Sequence, residues 1–424
     1  MSVSVNVESG ALSIEDMVKA LREVAKEAHS DGQSSAHSQG AKSQSEASKI
    51  AAVRTHSLTE PHSIRNYATA FATALVLGFG ALVYGNKTYA PEMYSDTGMI
   101  PAADAQAKGL NYAVFDLNLN VRAWRDAQLA RMTKTPDVII IGASQWQEAH
   151  KDLLKGMDFF NAHIHRDYWE DLPGMVELLV RHDRLPKKLI IAVRDKQFTP
   201  VDDRKDWLWE PGIPAYRAFT KRVGMETESW FKTAPWHRWQ ALISLPMFFE
   251  NFTRWQHAPA HPGPTTLARS ETMDMILPDG SILWSNRKLN QVFTRERTLN
   301  EVDSFAKVAL NNSVNIAPEG VAAWRKTFEF LKSKGVQVYL VNPPFNPDFY
   351  DQIEGTPYAA GLAKIEALTQ KFSKDFGFPI FGNFNPHKVG CVAEQYIDAE
   401  HANPVCMQKI FDQFVAVDKQ LGAK

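Results

Sequence analysis

Asp137-Val138-Ile139-Ile140-Ile141 runs straight into Gly142-Ala143-Ser144. A β-branched apolar run of this kind reads as a strand buried on both faces, the mark of a parallel sheet. The small residues after it suit a tight turn toward a helix and leave the Ser144 hydroxyl at the carboxyl end of the strand. Open α/β folds place their ligands there. Near the other end of the chain, Asp398-Ala399-Glu400-His401 is followed by Asn403-Pro404. A serine at a strand end and a late Asp-x-x-His are the parts of a Ser-His-Asp triad. The short spacing lets the aspartate reach one imidazole nitrogen while the other faces the serine. Each motif alone has an ordinary reading: small residues also mark close backbone approach, and a solvated acidic loop can carry a chance histidine.

Around these motifs, composition sets bounds. The chain has 424 residues, which predicts one large folded unit with appendages, and its 44% apolar content is ample for a sizeable core. A formal net charge of −1 offers no basic excess to neutralise phosphates, so no nucleic-acid partner is expected. No Cys/His set has metal-ligand spacing, and neither a metal nor a cofactor is expected. His163 and His165, two apart, would point the same way on a strand, as satisfied or solvent-facing side chains.

The amino-terminal part differs in kind. Ser13 to His29 has a capping box (Ser13-Ile14-Glu15-Asp16) and a one-sided apolar pattern, a short helix that either docks on a partner or is marginal. Residues 30–63 are rich in Ser, Gln, Ala and His and predict disorder. Asn66 to Gly85 is a run of twenty residues without a charge, long enough to cross a hydrocarbon core, with Tyr67 and Tyr84 at its ends. Lys49, Arg54 and Arg65 precede it against Lys87 after it, a bias that favours a cytoplasmic amino terminus. The expected organisation is a cytoplasmic tail (1–65), a transmembrane helix (66–85), a linker with a helix over Asn111–Met132 (86–134), and an extracytoplasmic domain (135–424).

Within that domain, five parallel strands are expected at Val138–Ile141, Phe159–Asn161, Leu189–Val193, Val336–Val341 and Pro379–Phe381. Helices are expected at Gln145–Gly156, Trp169–His182, Pro318–Lys334 and Tyr358–Phe376. The alternation predicts an α/β fold, a five-stranded parallel sheet sandwiched by helices in the flavodoxin-like manner. Residues 199–315 break the pattern and are too long for a loop, so they read as a structured insertion.

In this order and setting, the serine motif and the Asp-x-x-His resemble the SGNH (GDSL-like) hydrolase superfamily, over roughly residues 135–420 with the insertion between. Ala143 stands where the family's Gly-Asp-Ser has its aspartate. The chain is most similar to membrane-anchored members acting in cell-envelope acylation, such as alginate O-acetylation and teichoic-acid D-alanylation proteins. Those too have an amino-terminal membrane helix, a diverged serine motif and a long insertion, and Val338-Tyr-Leu-Val-Asn-Pro-Pro-Phe345 is also similar. The resemblance implies Ser144 as nucleophile, His401 as general base, Asp398 as its orienting partner, and a membrane-bound O-acyltransferase as partner. It also implies oxyanion donors after the second and third strands, where neither the family's glycine nor its asparagine stands. Asn161 and Arg194 are the candidates there. Asn161 also reads as a strand-end residue satisfying backbone groups, and Arg194 as half of a structural ion pair.

Two further groups stand out. Cys391 and Cys406, the only cysteines, enclose the Asp-x-x-His loop. In an oxidising compartment a bridge would close a loop worth about 3 kcal/mol; two separate thiols are the alternative. Seven of the eleven tryptophans fall in the insertion. Most read as packing, while Trp207 and Trp209, in an acidic stretch, are candidates for a glycan groove. Two functions follow: a periplasmic O-acyltransferase or esterase of the bacterial inner membrane, acting on an envelope or exported polysaccharide, or an inactive SGNH-like subunit that binds glycan or organises a modification complex.

Overall fold

A computed structural model describes residues 61–89, 99–114, 119–154, 156–165, 167–198, 212–225, 242–256, 263–292, 294–311 and 314–422. The 13–29 segment, the polar stretch up to residue 60, and Trp207 and Trp209 lie outside them. The chain divides into two units, 1–76 and 77–424. Of the first, only the beginning of one helix is described.

That helix, Pro61–Tyr89, starts on a proline, whose missing N–H has no intrahelical partner in a first turn. It begins before the uncharged run and ends after it. Over Arg65–Tyr89 it is long and apolar enough to cross a membrane. Tyr67, Phe71, Val76 and Leu77 are exposed on it.

Among the described residues of the second unit, nine strands form two sheets. β1 is Asn111–Val114, β2 Val138–Ile141, β3 Phe159–Asn161, β4 Lys188–Ala192, β5 Gly263–Thr265, β6 Asp274–Ile276, β7 Ile282–Leu283, β8 Gln337–Asn342 and β9 Ile380–Gly382. The larger sheet is wholly parallel in the order β3-β2-β4-β8-β9. Counted within that sheet the order is 2-1-3-4-5, that of flavodoxin-like doubly wound folds, whose switch point lies between the first and third strands, here β2 and β4.

Period-two alternation decides which helices cover which face. Ile139, Ile141, Leu189, Ile191, Val338 and Leu340 share one core with helices Asp171–Arg181, Pro318–Ser333 and Pro357–Phe376. Val138, Ile140, Ile190, Ala192, Tyr339 and Val341 face the carboxy-terminal helix Pro404–Gly422 through Cys406, Met407, Ile410, Phe411 and Phe414. Both faces are therefore covered, as the uninterrupted apolar strands require.

Two expected helices take other forms. Asn111 to Val114 is a strand rather than the start of a helix, because it pairs antiparallel with β5 and β6 from the insertion. The helix begins only at Val121, where Asn120 Oδ1 accepts the Ala123 amide at 3.1 Å. Gln145–Gly156 is not one helix either; it holds two short 3₁₀ turns, Ser144–Trp146 and Lys151–Leu153. Carbonyls that a helix would use are taken by the side-chain amide of Asn161, which donates to Trp146 at 2.6 Å and Ala149 at 2.9 Å.

The insertion is joined to the parallel sheet by a turn at Leu277–Ser281. Asn161 N donates to the Asp279 carbonyl (2.7 Å), Lys151 N to Asp279 Oδ2 (2.7 Å), and Ile282 N to the Gln147 carbonyl (2.7 Å). Gly280 has φ 82°, and a Cβ there would press against the Asn161 carbonyl oxygen. Gly280→Ala should therefore lower unfolding free energy by about 2 kcal/mol or more, read in denaturant titrations. Wild-type stability would mean that the turn is not docked on β3.

Candidate active site

Gly142 places the serine. A Cβ at this position would lie 2.7 Å from both the Ala192 Cβ and the Trp146 ring, so only glycine lets β2 leave the sheet beside β4. Ser144 then opens a 3₁₀ turn at the switch point, half-buried.

Its partner comes from the far end of the chain. His401 Nε2 accepts from the Ser144 hydroxyl at 2.9 Å, and His401 Nδ1 lies 2.7 Å from Asp398 Oδ2. A carboxylate can only accept, so Nδ1 carries the proton and Nε2 presents its lone pair to the serine. The aspartate is itself held: its Oδ1 accepts the Glu400 and His401 amides, both at 2.7 Å.

Several constraints fix this loop. Asn346 donates from Nδ2 to the Asp398 carbonyl (2.9 Å) and from its amide to the Ala399 carbonyl (3.0 Å). Thr298 Oγ1 donates to the Ile397 carbonyl at 2.9 Å. Asn403 Oδ1 accepts the Val405 amide at 3.0 Å, and Pro404 opens the last helix. Cys391 and Cys406 are bonded, with Cα atoms 5.3 Å apart.

Electrostatics set protonation. Burial opposes charge on His401, but the Asp398 carboxylate, its hydrogen bond, and Glu400 outweigh it and raise the imidazole above its usual value. Burial also opposes charge on Asp398, yet His401 and the two amides hold its carboxyl low. Glu400 is buried and, despite desolvation, held at about 2 by Lys196 and Arg194. Its Oε1 takes Lys196 Nζ at 2.7 Å and its Oε2 takes Arg194 Nη2 at 3.1 Å.

The two oxyanion candidates make structural bonds beside the triad. Asn161 uses its amide nitrogen to hold the 146–149 loop, and its Oδ1 accepts the His163 amide at 3.0 Å. Arg194 is buried against Glu400, with Asp195 at 3.6 Å.

Other buried groups lie on the serine loop and on the segment that follows β3. His163 and His165 lie beyond the end of β3 rather than on a strand, with ring centroids 5.2 Å apart, and His163 is buried rather than solvent-facing. Arg125, fully buried, donates to His163 Nδ1 (2.9 Å), which places the proton of neutral His163 on Nε2; that nitrogen is buried without a hydrogen-bond partner. Burial, then the charge of Arg125, keeps His163 well below the usual imidazole value. Gln145 is buried with both amide atoms unpaired. Glu148 is raised to about 7 by burial; it accepts the Trp284 amide at 3.2 Å, so the insertion contacts the serine loop. Gln145 and Glu148 lie one and four residues beyond the serine, which is the only hint of them in the sequence.

Among the described residues, no group of three His, Cys, Asp or Glu side chains is arranged to hold a metal ion. Two clefts, of ≈ 490 and ≈ 310 Å³, are lined by none of the triad residues. No protein-family model, curated protein or solved structure matches this chain.

Glu400→Gln tests the electrostatics in two ways. Leaving buried Arg194 with only the more distant Asp195 as an ion-pair partner should cost roughly 3 kcal/mol of stability, measured by denaturation. Removing a negative charge beside His401 should also lower its pKa, seen as an imidazole NMR titration moving to lower pH. An unchanged or higher pKa would mean that Glu400 does not act on His401.

Proposed function

We propose that the chain is a membrane-anchored serine O-acyltransferase or esterase of SGNH type, acting on an envelope or exported polysaccharide. The single observation that carries this reading is the hydrogen-bonded series Ser144–His401–Asp398, assembled from opposite ends of the domain. Ser144 Oγ attacks the acyl carbonyl while His401 Nε2 takes its proton, so an O–C bond forms as the O–H bond breaks. Collapse of the tetrahedral intermediate expels the donor's alkoxide, which takes the proton back from His401 and leaves an acyl-serine. An acceptor hydroxyl from sugar or water then repeats the sequence. Asp398 holds the imidazole tautomer and stabilises the imidazolium.

The Cys391–Cys406 bond suits an oxidising compartment, in keeping with a catalytic domain outside the cytoplasm and a cytoplasmic amino terminus in the bacterial inner membrane. A membrane-bound O-acyltransferase would supply the acyl group across that membrane. One observation favours a second reading, a glycan-binding or organising subunit without catalysis: the side chains of Asn161 and Arg194 are committed to structural bonds.

A fluorophosphonate probe separates the two. It should label the wild type and fail on Ser144→Ala. His401→Ala should slow acylation by about 10³-fold or more, Asp398→Asn less, and the losses should not add because the groups act as a unit. Wild-type acylation in all three folded variants would leave only the subunit reading. For topology, a reporter active only outside the cytoplasm should be active when fused after Lys424 and silent at His56. The reverse result would place the domain in the cytoplasm.

A further inference from the structure

The carboxyl end of the Pro61–Tyr89 helix is gripped by a second helix, Leu245–Gln256. Asn86, fully buried, donates from Nδ2 to the Leu242 carbonyl (2.8 Å) and accepts at Oδ1 from Asn251 Nδ2 (3.1 Å). Gly85 leaves the space that the Phe248 ring occupies. Tyr89 packs on Phe248, Phe252 and Trp255, with ring centroids at 5.9, 5.2 and 5.3 Å. These contacts hold the second helix against the last turn of the first.

At 100° per residue, Leu245, Phe248, Phe249, Phe252 and Trp255 form one arc, shared only with the terminal Gln256, while Glu250 and Thr253 lie off it. Phe248, Phe252 and Trp255 meet Tyr89. Leu245 and Phe249 continue the arc into solvent, 51% and 44% exposed, and Trp255 is itself 41% exposed. Tyr84 and Lys87 are exposed at the same end of the first helix. An exposed arc of Leu, Phe and Trp beside a helix long enough to cross a bilayer has the composition of a segment that lies in a membrane interface.

We infer that Leu245–Gln256 is an interfacial helix whose Leu245, Phe249 and Trp255 side chains rest among lipid headgroups and upper acyl chains. The inference rests on reading Arg65–Tyr89 as a membrane span. Its consequence is orientation: the insertion, and with it the turn docked beside the serine loop, is tied to the bilayer surface at a second point. A single flexible anchor would leave the domain free to tumble.

The two native cysteines are bonded to each other, so one introduced cysteine can be labelled alone. The full chain, as Phe249→Cys or Leu245→Cys with an environment-sensitive dye, is reconstituted in phosphatidylethanolamine–phosphatidylglycerol vesicles. Nitroxide is carried near the carbonyl end or near the methyl end of the acyl chain. Leu77→Cys reports on the span and Lys326→Cys on the solvent. The inference expects about twofold or greater quenching of the Phe249 and Leu245 labels by the shallow nitroxide, less by the deep one. Leu77 should show the reverse preference and Lys326 none. Quenching at Leu77 with none at Phe249 and Leu245 would overturn the interfacial helix, leave the span intact, and point to a protein partner or second copy on this face. Deep quenching at Phe249 would overturn it as well. No quenching at Leu77 would remove the span and the inference together.

Discussion

Everything at the candidate site depends on how closely β2 and β4 approach at Gly142. A side chain there would collide with Ala192 and Trp146, so glycine alone permits Val138–Ile141 to lie flat between β3 and β4 and still turn sharply. That turn lifts Ser144 onto the switch point of the sheet. The same strand order sends the chain's last loop, between β9 and the Pro404–Gly422 helix, back to it. Packing of that helix on Val138, Ile140 and Ile190 then sets where His401 lies.

Around the triad, charge is arranged rather than merely present. Asp398 takes three hydrogen bonds with its two oxygens, which leaves it ionised and immobile. Glu400 adds negative charge but is neutralised on its outer side by Arg194 and Lys196, so its influence on His401 is moderated. On the other flank, Arg125 is buried without a carboxylate hydrogen bond and is satisfied by carbonyls, Gln128 and His163. Such an arrangement keeps His163 neutral and fixes its tautomer. Gln145, next to the serine, and Nε2 of His163 are buried without a hydrogen-bond partner among the described residues.

The insertion is part of this construction and not an ornament on it. β1 precedes the parallel sheet in sequence, yet its partners β5 and β6 come from the insertion. The turn at Leu277–Ser281 and the Trp284 amide then tie that second sheet to the loop after Ser144. Helix Leu245–Gln256 ties the insertion in turn to the end of the long apolar helix.

Much was legible without coordinates, for local reasons. Uninterrupted β-branched runs can be satisfied only between neighbouring strands, so the five parallel strands and three of the four expected helices between them followed from residue pattern, with boundaries off by one or two residues. The uncharged run likewise specified a long apolar helix, and the Asp-x-x-His spacing brought a carboxylate within reach of an imidazole. What the sequence could not contain is pairing at a distance. Asn111–Val114 became a strand because β5 and β6 met it, and Gln145–Gly156 broke into 3₁₀ turns because Asn161 took its carbonyls. The same holds for the bonds that Asn161 and Arg194 make, whose partners only folding supplied. Sequence by itself determined most of the elements of the parallel sheet and which residues carry reactive groups, because propensity and periodicity act over a few residues. Tertiary structure alone decided which of those groups meet, because hydrogen bonds and burial are settled by whatever lies opposite in space.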